Sequence, residues 1–400
     1  MPKVLQIVNR LNLGGIISNA ALLSRYLPDN YESIFLAGPK QDSEESAAFI
    51  LEELGLSYTE IPEMQRSLHP FRDRQAYLKL RSIIKEFRPD IVHTHAAKAG
   101  ALGRLAAYHE NVPVILHTFH GHIFHSYFNP VVSKVFVQIE RYLAGISDGI
   151  ISISDRQKLE LGEIHKICSP DKIHVIPYGF DLRKFGENVE QKRNLFRSQY
   201  QIADDELAVG IIGRLVPIKN HSLFLQAIAQ LQQQTSRKMR FMIVGDGEVR
   251  EALLQECERL HIDYTFYPES PRKALVTFTS WRKDVDVVLN GLDMIALTSL
   301  NEGTPVSLIE AQSAEKAIVT TDVGGVRNAV LPDRSAVLVA SGNVHGFAAA
   351  LTELIENDEK RLKMASAGKD FVLEHYHYTR LIRDTQALYE KLLAAKAKKR

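Results

Sequence analysis

The chain has 400 residues, of which 45% are hydrophobic, and its 49 Lys and Arg against 48 Asp and Glu leave a net charge of +1. This length exceeds what one hydrophobic core usually supports, which predicts two domains. The balanced charge excludes the broad basic field typical of nucleic-acid-binding proteins, so no nucleic-acid partner is expected. Cys168 and Cys257 are far apart and lack metal-ligand spacing, as is typical of a reducing compartment.

The N-terminus and the hydropathy pattern predict a cytoplasmic chain. Met1, Pro2 and Lys3 lead directly into an apolar run, which leaves no room for a signal peptide. No stretch approaches the roughly 18 uninterrupted apolar residues of a membrane-spanning helix. A peripheral position at the cytoplasmic face of a membrane stays open.

Short apolar runs alternate with amphipathic segments along the whole chain, which is the pattern of βαβ units and a parallel sheet. The first half has six such runs, at residues 4–9, 33–38, 90–95, 114–120, 149–154 and 173–179. The second half also has six, at residues 207–213, 240–245, 275–280, 293–298, 317–322 and 336–339. We therefore expect an α/β fold with two doubly wound, Rossmann-like parallel-sheet domains that face a central cleft.

A turn-rich stretch at residues 179–186 is the expected linker. It divides an N-terminal domain, residues 1–185, from a C-terminal domain, residues 186–378. Helical patterns at 344–356 and 359–375 follow the last apolar run. Periodicity alone allows residues 379–400 either to complete the second domain or to cross back to the first, and our prediction is the crossing.

The first candidate residues follow the first apolar run, because ligand sites of open α/β sheets gather at the carboxyl ends of strands. Gly14 and Gly15 lack a Cβ, so the backbone there can approach a phosphate or a sugar. A tight turn without a ligand explains the pair equally well.

Histidines cluster around the end of the fourth run. His117 and His120 lie on opposite faces of a strand, and no Cys or carboxylate nearby completes a ligand set, so zinc is not expected. A strand-end histidine suits a hydrogen bond to a hydroxyl or a leaving group, and we assign this role to His120. His122 and His125 complete this histidine cluster, and His93 and His95, at the end of another strand, are weaker candidates. Four aromatic residues would wall the cleft, with core packing as the alternative: Phe119, Phe124, Tyr127 and Phe128.

Two cations and two glycines mark the first strand ends of the second domain. Arg214 and Lys219 lie five residues apart in one loop, which makes a two-pronged clamp for a diphosphate, although solvated surface cations are the alternative. Gly245 and Gly247 lack the third glycine of a dinucleotide fingerprint, so NAD is not expected and a tight turn facing a nucleotide suits them better.

The loop after the run at 293–298 leads into a helix, with Glu302 just before the helix and Glu310 about two turns into it. We expect Thr304 to cap this helix and Pro305 to occupy its first position. Free amides at a helix start favour a phosphate, so the expected ligand is anionic and rich in hydroxyls. Ordinary surface acids are the alternative.

Taken in order, these motifs resemble family 4 of the retaining, nucleotide-sugar-dependent glycosyltransferases, whose GT-B architecture has two Rossmann-like domains. The resemblance covers nearly the whole chain. Besides the residues above, it rests on the segments 90–95, 118–120, 176–181 and 322–325. One stretch departs from the family pattern, since residues 263–272 look like about ten extra residues.

The resemblance implies a role for each candidate residue. Arg214 and Lys219 would hold the donor diphosphate as it leaves, and Glu302 would reach the transferred sugar. His120 would lie near the anomeric centre, and Glu310 would bind the ribose hydroxyls. The other donor-binding residues would contact phosphate, sugar or base: Gly14, Gly15, Gly245, Gly247, Trp281, Arg282, Gly303, Thr304, Pro305 and Val306.

The implied activity is that of a hexosyltransferase, which moves a sugar from a UDP- or GDP-sugar to a glycan or a lipid-linked acceptor with retention. No cofactor and no metal are expected; Asp284 and Asp286 imitate a metal-binding pair but lie at a predicted helix start. A nucleotide-sugar epimerase, a phosphorylase and a non-catalytic sugar-binding protein are the alternatives. Basic residues between Arg72 and Arg88, with the basic tail, suggest peripheral membrane contact, a solvated helix face being the alternative.

Overall fold

The computed structural model describes residues 1–12, 15–41, 46–65, 67, 69–120, 130–232 and 234–398, and only the backbone of residues 130–132. The described chain forms two compact units. Unit 1 comprises Met1–Phe180 and Tyr376–Arg400, and unit 2 comprises Asp181–His375. Each unit has the α/β organisation that the sequence predicts.

Seven parallel strands form the sheet of unit 1, in the order β3-β2-β1-β4-β5-β6-β7. The chain therefore starts in the middle of the sheet, winds to one edge and then to the other. The strands are β1 (Lys3–Val8), β2 (Glu32–Ala37), β3 (Tyr58–Glu60), β4 (Ile91–His95), β5 (Val114–Phe119), β6 (Gly149–Ser152) and β7 (Ile173–Val175). The helices are α1 (Gly15–Tyr26), α2 (Ala48–Glu53), α3 (Pro70–Phe87), α4 (Ala97–His109), α5 (Pro130–Gly145) and α6 (Asp155–Leu159), with a π-helical turn at Glu160–Ile164 and a 3₁₀ turn at Pro170–Lys172.

The central strands of unit 1 are buried on both faces, which explains why their apolar residues are not confined to alternate positions. Helix α4 lies close to them because two of its residues have no side chain. A Cβ at Gly103 would lie only 2.6 Å from Cγ2 of Thr94, and one at Gly100 would lie 2.4 Å from Cε1 of His117. Glycine inside this helix therefore permits the close helix–sheet contact.

The last helix of the chain also belongs to unit 1. Its buried residues Leu381, Leu388 and Tyr389 share an apolar core with the sheet. At its start, the Tyr378 amide donates to the Phe180 carbonyl over 3.1 Å. This helix, Tyr378–Ala397, therefore returns to the unit in which the chain began.

Unit 2 repeats the architecture with seven parallel strands in the order β10-β11-β9-β8-β12-β13-β14. The strands are β8 (Leu207–Ile212), β9 (Met239–Val244), β10 (Tyr264–Phe266), β11 (Val276–Ser280), β12 (Met294–Leu297), β13 (Ala317–Thr321) and β14 (Ala336–Val339). The helices are α7 (Val189–Gln199), α8 (His221–Leu231), α9 (Arg250–Arg259), α10 (Val285–Gly291), α11 (Val306–Ser313), α12 (Val326–Ala329), α13 (Val344–Glu356) and α14 (Asp358–Tyr376), with 3₁₀ turns at Arg183–Phe185 and Pro217–Lys219; the final helix of the chain is α15.

Each sheet has one strand more than the six apolar runs predict. The additional strands, β3 and β10, are edge strands of three residues, and β3 is exposed along its whole length. Strand β10 lies within the stretch 263–272 that departs from the family pattern, and it pairs with β11. That stretch therefore completes the sheet.

Neither a membrane-spanning helix nor a disulfide occurs in the part of the chain that the structure describes. No described helix is both long and apolar enough to cross a bilayer. Cys168 is partly buried, Cys257 is buried, and both are free thiols.

Candidate functional site

Lys219, one half of the predicted diphosphate clamp, forms an ion pair with Glu302 on the adjacent loop. Lys219 ends the 3₁₀ turn after β8, and its Nζ lies 2.6 Å from Oε1 of Glu302. Ser299 donates a second 2.6 Å hydrogen bond to the same carboxylate oxygen. The side chains of Lys219 and Glu302 are 26% and 10% exposed, so the ion pair is only partly desolvated and opens to the surface on the lysine side.

Backbone contacts hold these two loops in register. The Leu300 amide donates to the Ile218 carbonyl over 2.8 Å, and the Thr298 hydroxyl donates to the Lys219 carbonyl over 3.0 Å. Because β8 and β12 are neighbours in the sheet, the loops that follow them emerge side by side. The sheet topology thus brings together two charged residues that lie 83 positions apart.

Arg214 lies in the same loop as Lys219. Its side chain is exposed, and no hydrogen bond or ion pair within the described parts of the chain engages it. The loop itself is fixed, because the Leu215 amide donates to the Asp246 carbonyl over 3.0 Å. A free guanidinium on a fixed loop can bind an oxyanion without first losing a protein partner.

The glycines of the neighbouring loops are explained by close contacts between backbones. A Cβ at Gly245 would lie 2.0 Å from the Gly213 carbonyl oxygen, and one at Gly247 would lie 2.3 Å from that of Leu215. Gly245 also has a φ of 140°, which favours glycine. Both residues therefore support the Arg214 loop, whether or not a ligand also contacts them.

A second glycine pair supports the Glu302 loop in the same way. Gly324 has a φ of 52°, and a Cβ there would lie 2.0 Å from the Glu302 carbonyl oxygen. The next residue, Gly325, donates its amide to that same oxygen over 3.0 Å. Gly303 differs, since a Cβ at that position would meet open space.

The helix after Glu302 starts one residue later than predicted. Pro305 is the N-cap of α11, with extended backbone, and the cap has no side-chain hydrogen bond. The expectation that Thr304 caps the helix and Pro305 is its first residue is therefore wrong, because Val306 is the first helical residue. The first amides of α11 still lack intrahelical acceptors, as at any helix start.

Glu310 lies inside α11, where burial raises the pKa of its carboxyl to about 7. The Lys184 ammonium opposes this shift, and the Asp286 carboxylate adds to it. Lys184 had no sequence signal, because it lies in the predicted linker rather than at a strand end. A carboxyl held near half ionisation at neutral pH readily becomes an acceptor for hydroxyl donors.

Trp281 and Arg282, the predicted base-binding residues, follow β11. Trp281 is 51% exposed. The Arg282 guanidinium makes a two-pronged contact with Asp284 at 2.6 and 2.8 Å, and it also donates to the Tyr200 hydroxyl over 3.1 Å. The Arg282 side chain is therefore engaged within unit 2, whereas the Trp281 side chain is exposed.

Asp284 is the N-cap of α10, as the predicted helix start requires. Each carboxylate of the Asp284–Asp286 pair has its own cation, Arg282 for Asp284 and Lys192 for Asp286. Among the described residues no group of three or more His, Cys, Asp or Glu is arranged to hold a metal ion.

In unit 1, His120 directly follows β5 and is joined to two other side chains. Its Nε2 lies 2.8 Å from Nδ1 of His95, and its Nδ1 lies 3.1 Å from the Tyr178 hydroxyl, whose ring stacks on the imidazole at 12°. Burial lowers the pKa of His95 to about 3 and also holds that of His120 well below its ordinary value. Both imidazoles are therefore neutral at physiological pH.

His117 points to the opposite face of β5, as the alternation predicts. Its Nδ1 lies 2.8 Å from Oγ1 of Thr94, and burial lowers its pKa strongly. Gly15 starts α1 beside the Tyr178 ring, 3.9 Å from where its Cβ would be. Phe119 is 1% exposed and packs in an apolar core, which is the alternative to a cleft wall. Six other candidates lie outside the described residues: Gly14, His122, Phe124, His125, Tyr127 and Phe128.

Comparison with known proteins gives two family matches that together span most of the chain. Residues 13–184 match the model described as Glycosyltransferase Family 4, and residues 192–371 match Glycosyl transferases group 1. The two matches divide near residue 185, between the predicted halves.

Two curated relatives are similar over most of their length. The UDP-Gal:alpha-D-GlcNAc-diphosphoundecaprenol alpha-1,3-galactosyltransferase of Escherichia coli is 27% identical, covering 84% of each chain. A D-inositol 3-phosphate glycosyltransferase of Jonesia denitrificans is 26% identical over 76% of this chain and 72% of that protein.

A solved structure shares the fold. The crystal structure of Anabaena Alr3699/HepE in complex with UDP superposes with a TM-score of 0.80 at 19% identity, covering 97% of this chain and 100% of that one. Together with the paired family matches, this shows that the chain belongs to the family 4 glycosyltransferases with the GT-B fold and is an enzyme of the hexosyltransferase type.

Proposed function

We propose that this enzyme transfers a hexose from a UDP-sugar to a hydroxyl of a glycan or of a lipid-linked saccharide, with retention of anomeric configuration and without a metal. The arrangement that carries the proposal is the Lys219–Glu302 ion pair beside the exposed Arg214 and the open start of α11. It offers two cations and free amides for a diphosphate, together with a carboxylate for sugar hydroxyls.

The two cations divide the proposed work on the diphosphate. Arg214 can bind a phosphate oxygen without breaking an ion pair, whereas the Lys219 ammonium must bind both Glu302 and the diphosphate. As the bond to the sugar breaks, negative charge grows on the leaving phosphate, and Lys219 moves its hydrogen bonding toward that charge. Such a preorganised cation stabilises the transition state more than the bound substrate.

The carboxylates have separate roles in the proposal. Glu302 faces the transferred sugar, and Ser299 keeps it oriented when Lys219 turns to the phosphate. Glu310 accepts hydrogen bonds from the ribose, and the Trp281 indole stacks on the base. In unit 1, His120 contacts a sugar hydroxyl.

Retention follows from which group takes the acceptor proton. A leaving-diphosphate oxygen stays on the face of the sugar from which it departs, and there it can deprotonate the incoming hydroxyl through an oxocarbenium-like transition state. Cations that hold the diphosphate in place therefore also hold the base in place. The proposal needs no side chain as general base and no metal ion to carry the phosphate charge.

The names of the related proteins support UDP and a lipid-linked acceptor. The Escherichia coli relative is named for UDP-Gal and a GlcNAc-diphosphoundecaprenol, and Anabaena HepE has also been crystallised with UDP-glucose. GDP-sugars remain the alternative donors to be tested.

The proposed function is tested by incubating the protein with UDP- and GDP-sugars, with and without short-chain polyprenyl-diphosphate saccharides. We expect release of UDP that depends on the acceptor, an α-linked product from an α-linked donor by NMR, and no loss of rate in EDTA. An intact nucleotide sugar with altered stereochemistry indicates an epimerase instead, and a sugar phosphate indicates a phosphorylase. Release of GDP alone would overturn the choice of donor.

A lipid-linked acceptor requires contact with a membrane surface, which we also propose. Helix α5 exposes Val135, Ile139 and Tyr142 by 54, 43 and 58%, and their spacing places them on one helix face. The basic helix α3 is a weaker candidate, because Glu110 pairs with both Arg81 and Lys85. Sedimentation with anionic vesicles should therefore fall in a Val135→Ser/Ile139→Ser variant, and unchanged sedimentation would exclude this face.

A further inference from the structure

A continuous row of buried hydrogen bonds connects His120 to the last helix of the chain. From His95, Nε2 lies 2.8 Å from Oε1 of Gln6, and the Gln6 Nε2 donates to the Tyr389 hydroxyl over 3.1 Å. The same hydroxyl lies 2.7 Å from Nδ1 of His93. Gln6, His93, His95 and Tyr389 are at most 2% exposed. We name His120, His95, Gln6, Tyr389 and His93 the Gln6 row.

The orientation of the Gln6 amide determines where each proton in the row lies. Because its oxygen faces His95, the hydrogen of His95 must be on Nε2, and His95 Nδ1 is left as an acceptor. The facing nitrogen of His120 must then donate, so His120 carries its hydrogen on Nε2. Its other nitrogen, Nδ1, is consequently an acceptor that faces the Tyr178 hydroxyl.

The same reasoning applies on the other side of Gln6. Tyr389 accepts from the amide nitrogen, so its own hydrogen points to Nδ1 of His93. His93 then donates from Nε2 to the Thr118 hydroxyl, which lies 2.7 Å away. Tyr389 is thus the acceptor that the Gln6 amide nitrogen faces, and without its hydroxyl the amide is free to turn.

Burial keeps the three histidines of the row from taking up a second ring proton, which would remove their acceptor nitrogens. It lowers the pKa values of His93, His95 and His120, each below the ordinary value, and neighbouring imidazoles lower those of His93 and His120 further. Each ring therefore remains neutral and has one donor and one acceptor nitrogen. Reversing the tautomer of one ring requires turning the Gln6 amide and reversing the others with it.

We propose that Gln6 and Tyr389 are positioning residues that set the tautomer of His120, so that its Nδ1 is the nitrogen available to accept a hydrogen bond from a sugar hydroxyl. The tautomer is a property of the resting protein, whereas its use on a sugar rests on the proposed function. A substrate hydroxyl that reaches Nδ1 displaces the Tyr178 hydroxyl, whose single hydrogen then turns to the His120 carbonyl oxygen, 3.1 Å away.

The first test is the ¹⁵N NMR spectrum of the full chain labelled at histidine, with the His120 signals assigned by their loss in His120→Asn. The expected spectrum shows a protonated Nε2 and an unprotonated Nδ1 for His120. Tyr389→Phe removes the hydroxyl that orients Gln6 and is expected to give a mixture of both tautomers. A protonated Nδ1 in the wild type, or an unchanged spectrum in the variant, overturns the proposal.

Two further variants separate positioning from a general effect on packing. Tyr31→Phe is the matched control, because Tyr31 lies in the same apolar core with its ring 6.3 Å from that of Tyr389 but outside the row. It should leave the His120 signals unchanged. Gln6→Met removes the amide and keeps the length of the side chain, so it must give a mixture of His120 tautomers, as Tyr389→Phe does. A wild-type spectrum for Gln6→Met shows that the Gln6 row does not set the tautomer.

The second test is kinetic. Tyr389→Phe should lower kcat about fivefold, the loss expected for one hydrogen bond of about 1 kcal/mol, while the KM for the UDP-sugar changes less than twofold. Tyr31→Phe should change neither constant. A fall in kcat that is equal in the two variants refutes the proposal. If the wild type shows no transfer at all, the proposed function fails, and the NMR outcomes still decide the tautomer.

Discussion

The coupling between Lys219 and Glu302 can be predicted from the geometry and exposure of the pair. Their 2.6 Å contact is a charge-assisted hydrogen bond, which typically stabilises by about 1.5–3 kcal/mol. At 26% and 10% exposure the two side chains lie between a solvated pair, worth about 0.2–1 kcal/mol, and a fully buried one, where loss of one partner costs about 3–5 kcal/mol. We therefore expect a coupling free energy of about 2 kcal/mol.

The assay is a double-mutant cycle of Lys219→Met and Glu302→Gln, with the free energy of unfolding of unit 2 measured in urea. The control is the same cycle on Lys369 and Glu315, an ion pair of unit 2 whose side chains are 39% and 50% exposed. That pair should couple by no more than about 0.5 kcal/mol. Equal coupling in the two cycles would show that the carboxylate does not hold the lysine, and the division of roles proposed for this site would fail.

Four other predictions concern residues of the same unit. UDP-glucose should bind more tightly as the pH rises from about 6 to about 8, because ribose hydroxyls favour the ionised Glu310 carboxylate, whose pKa is raised to about 7. Calorimetry should show that Glu310→Gln loses this pH dependence. Without ligand, the stability of the protein should change with pH in the opposite direction. A raised carboxyl pKa lowers the free energy of unfolding as the pH rises from 4.5 to about 7, and urea unfolding should show no such fall in Glu310→Gln. Gly324→Ala should lower the free energy of unfolding by about 1–3 kcal/mol, because its Cβ would meet the Glu302 carbonyl. Gly303→Ala faces open space and should cost less than about 0.5 kcal/mol. Equal melting temperatures of the two variants would contradict this prediction. Arg214→Ala should weaken UDP binding about 10- to 150-fold in calorimetry, and unaltered affinity would remove Arg214 from the site.

The fold was accessible from the sequence because the central strands are buried on both faces. Strand β12 reads as an unbroken apolar run and is wholly buried, and β4 is also wholly buried although it carries two histidines and a threonine. The edge strands β3 and β10 escaped prediction because three residues are too few to show a period and neither strand has a buried apolar residue, whereas the equally short β7 has the buried Ile173. A run of apolar residues in the sequence indicates a buried strand, and few residues of a short edge strand are buried.

The candidate site was only partly accessible from the sequence, because strand-end reasoning selects residues but not their partners. It selected Lys219 and Glu302, yet nothing local indicates that they form one ion pair. The predicted helix start was wrong by one residue. Thr304 is a favoured cap residue and Pro305 a favoured first residue, but in the structure Pro305 is the cap and Val306 is the first helical residue.

The Gln6 row had almost no sequence signal. Gln6 and Tyr389 are separated by 383 positions, and each lies in a segment whose pattern indicates only a buried strand or an amphipathic helix. A polar side chain in the middle of an apolar strand was the one available sign, because such a group is usually buried with a specific partner.

The return of α15 to unit 1 has a consequence for folding during synthesis. Most of unit 1 is made before unit 2, but the helix that shares a core with Val4, Ile91 and Val114 is made after the whole of unit 2. At about 5–20 residues per second, the roughly 200 intervening residues take about 10–40 s to synthesise. During that interval the nascent unit 1 exposes an apolar sheet face, and a chaperone that binds such surfaces has time to engage it.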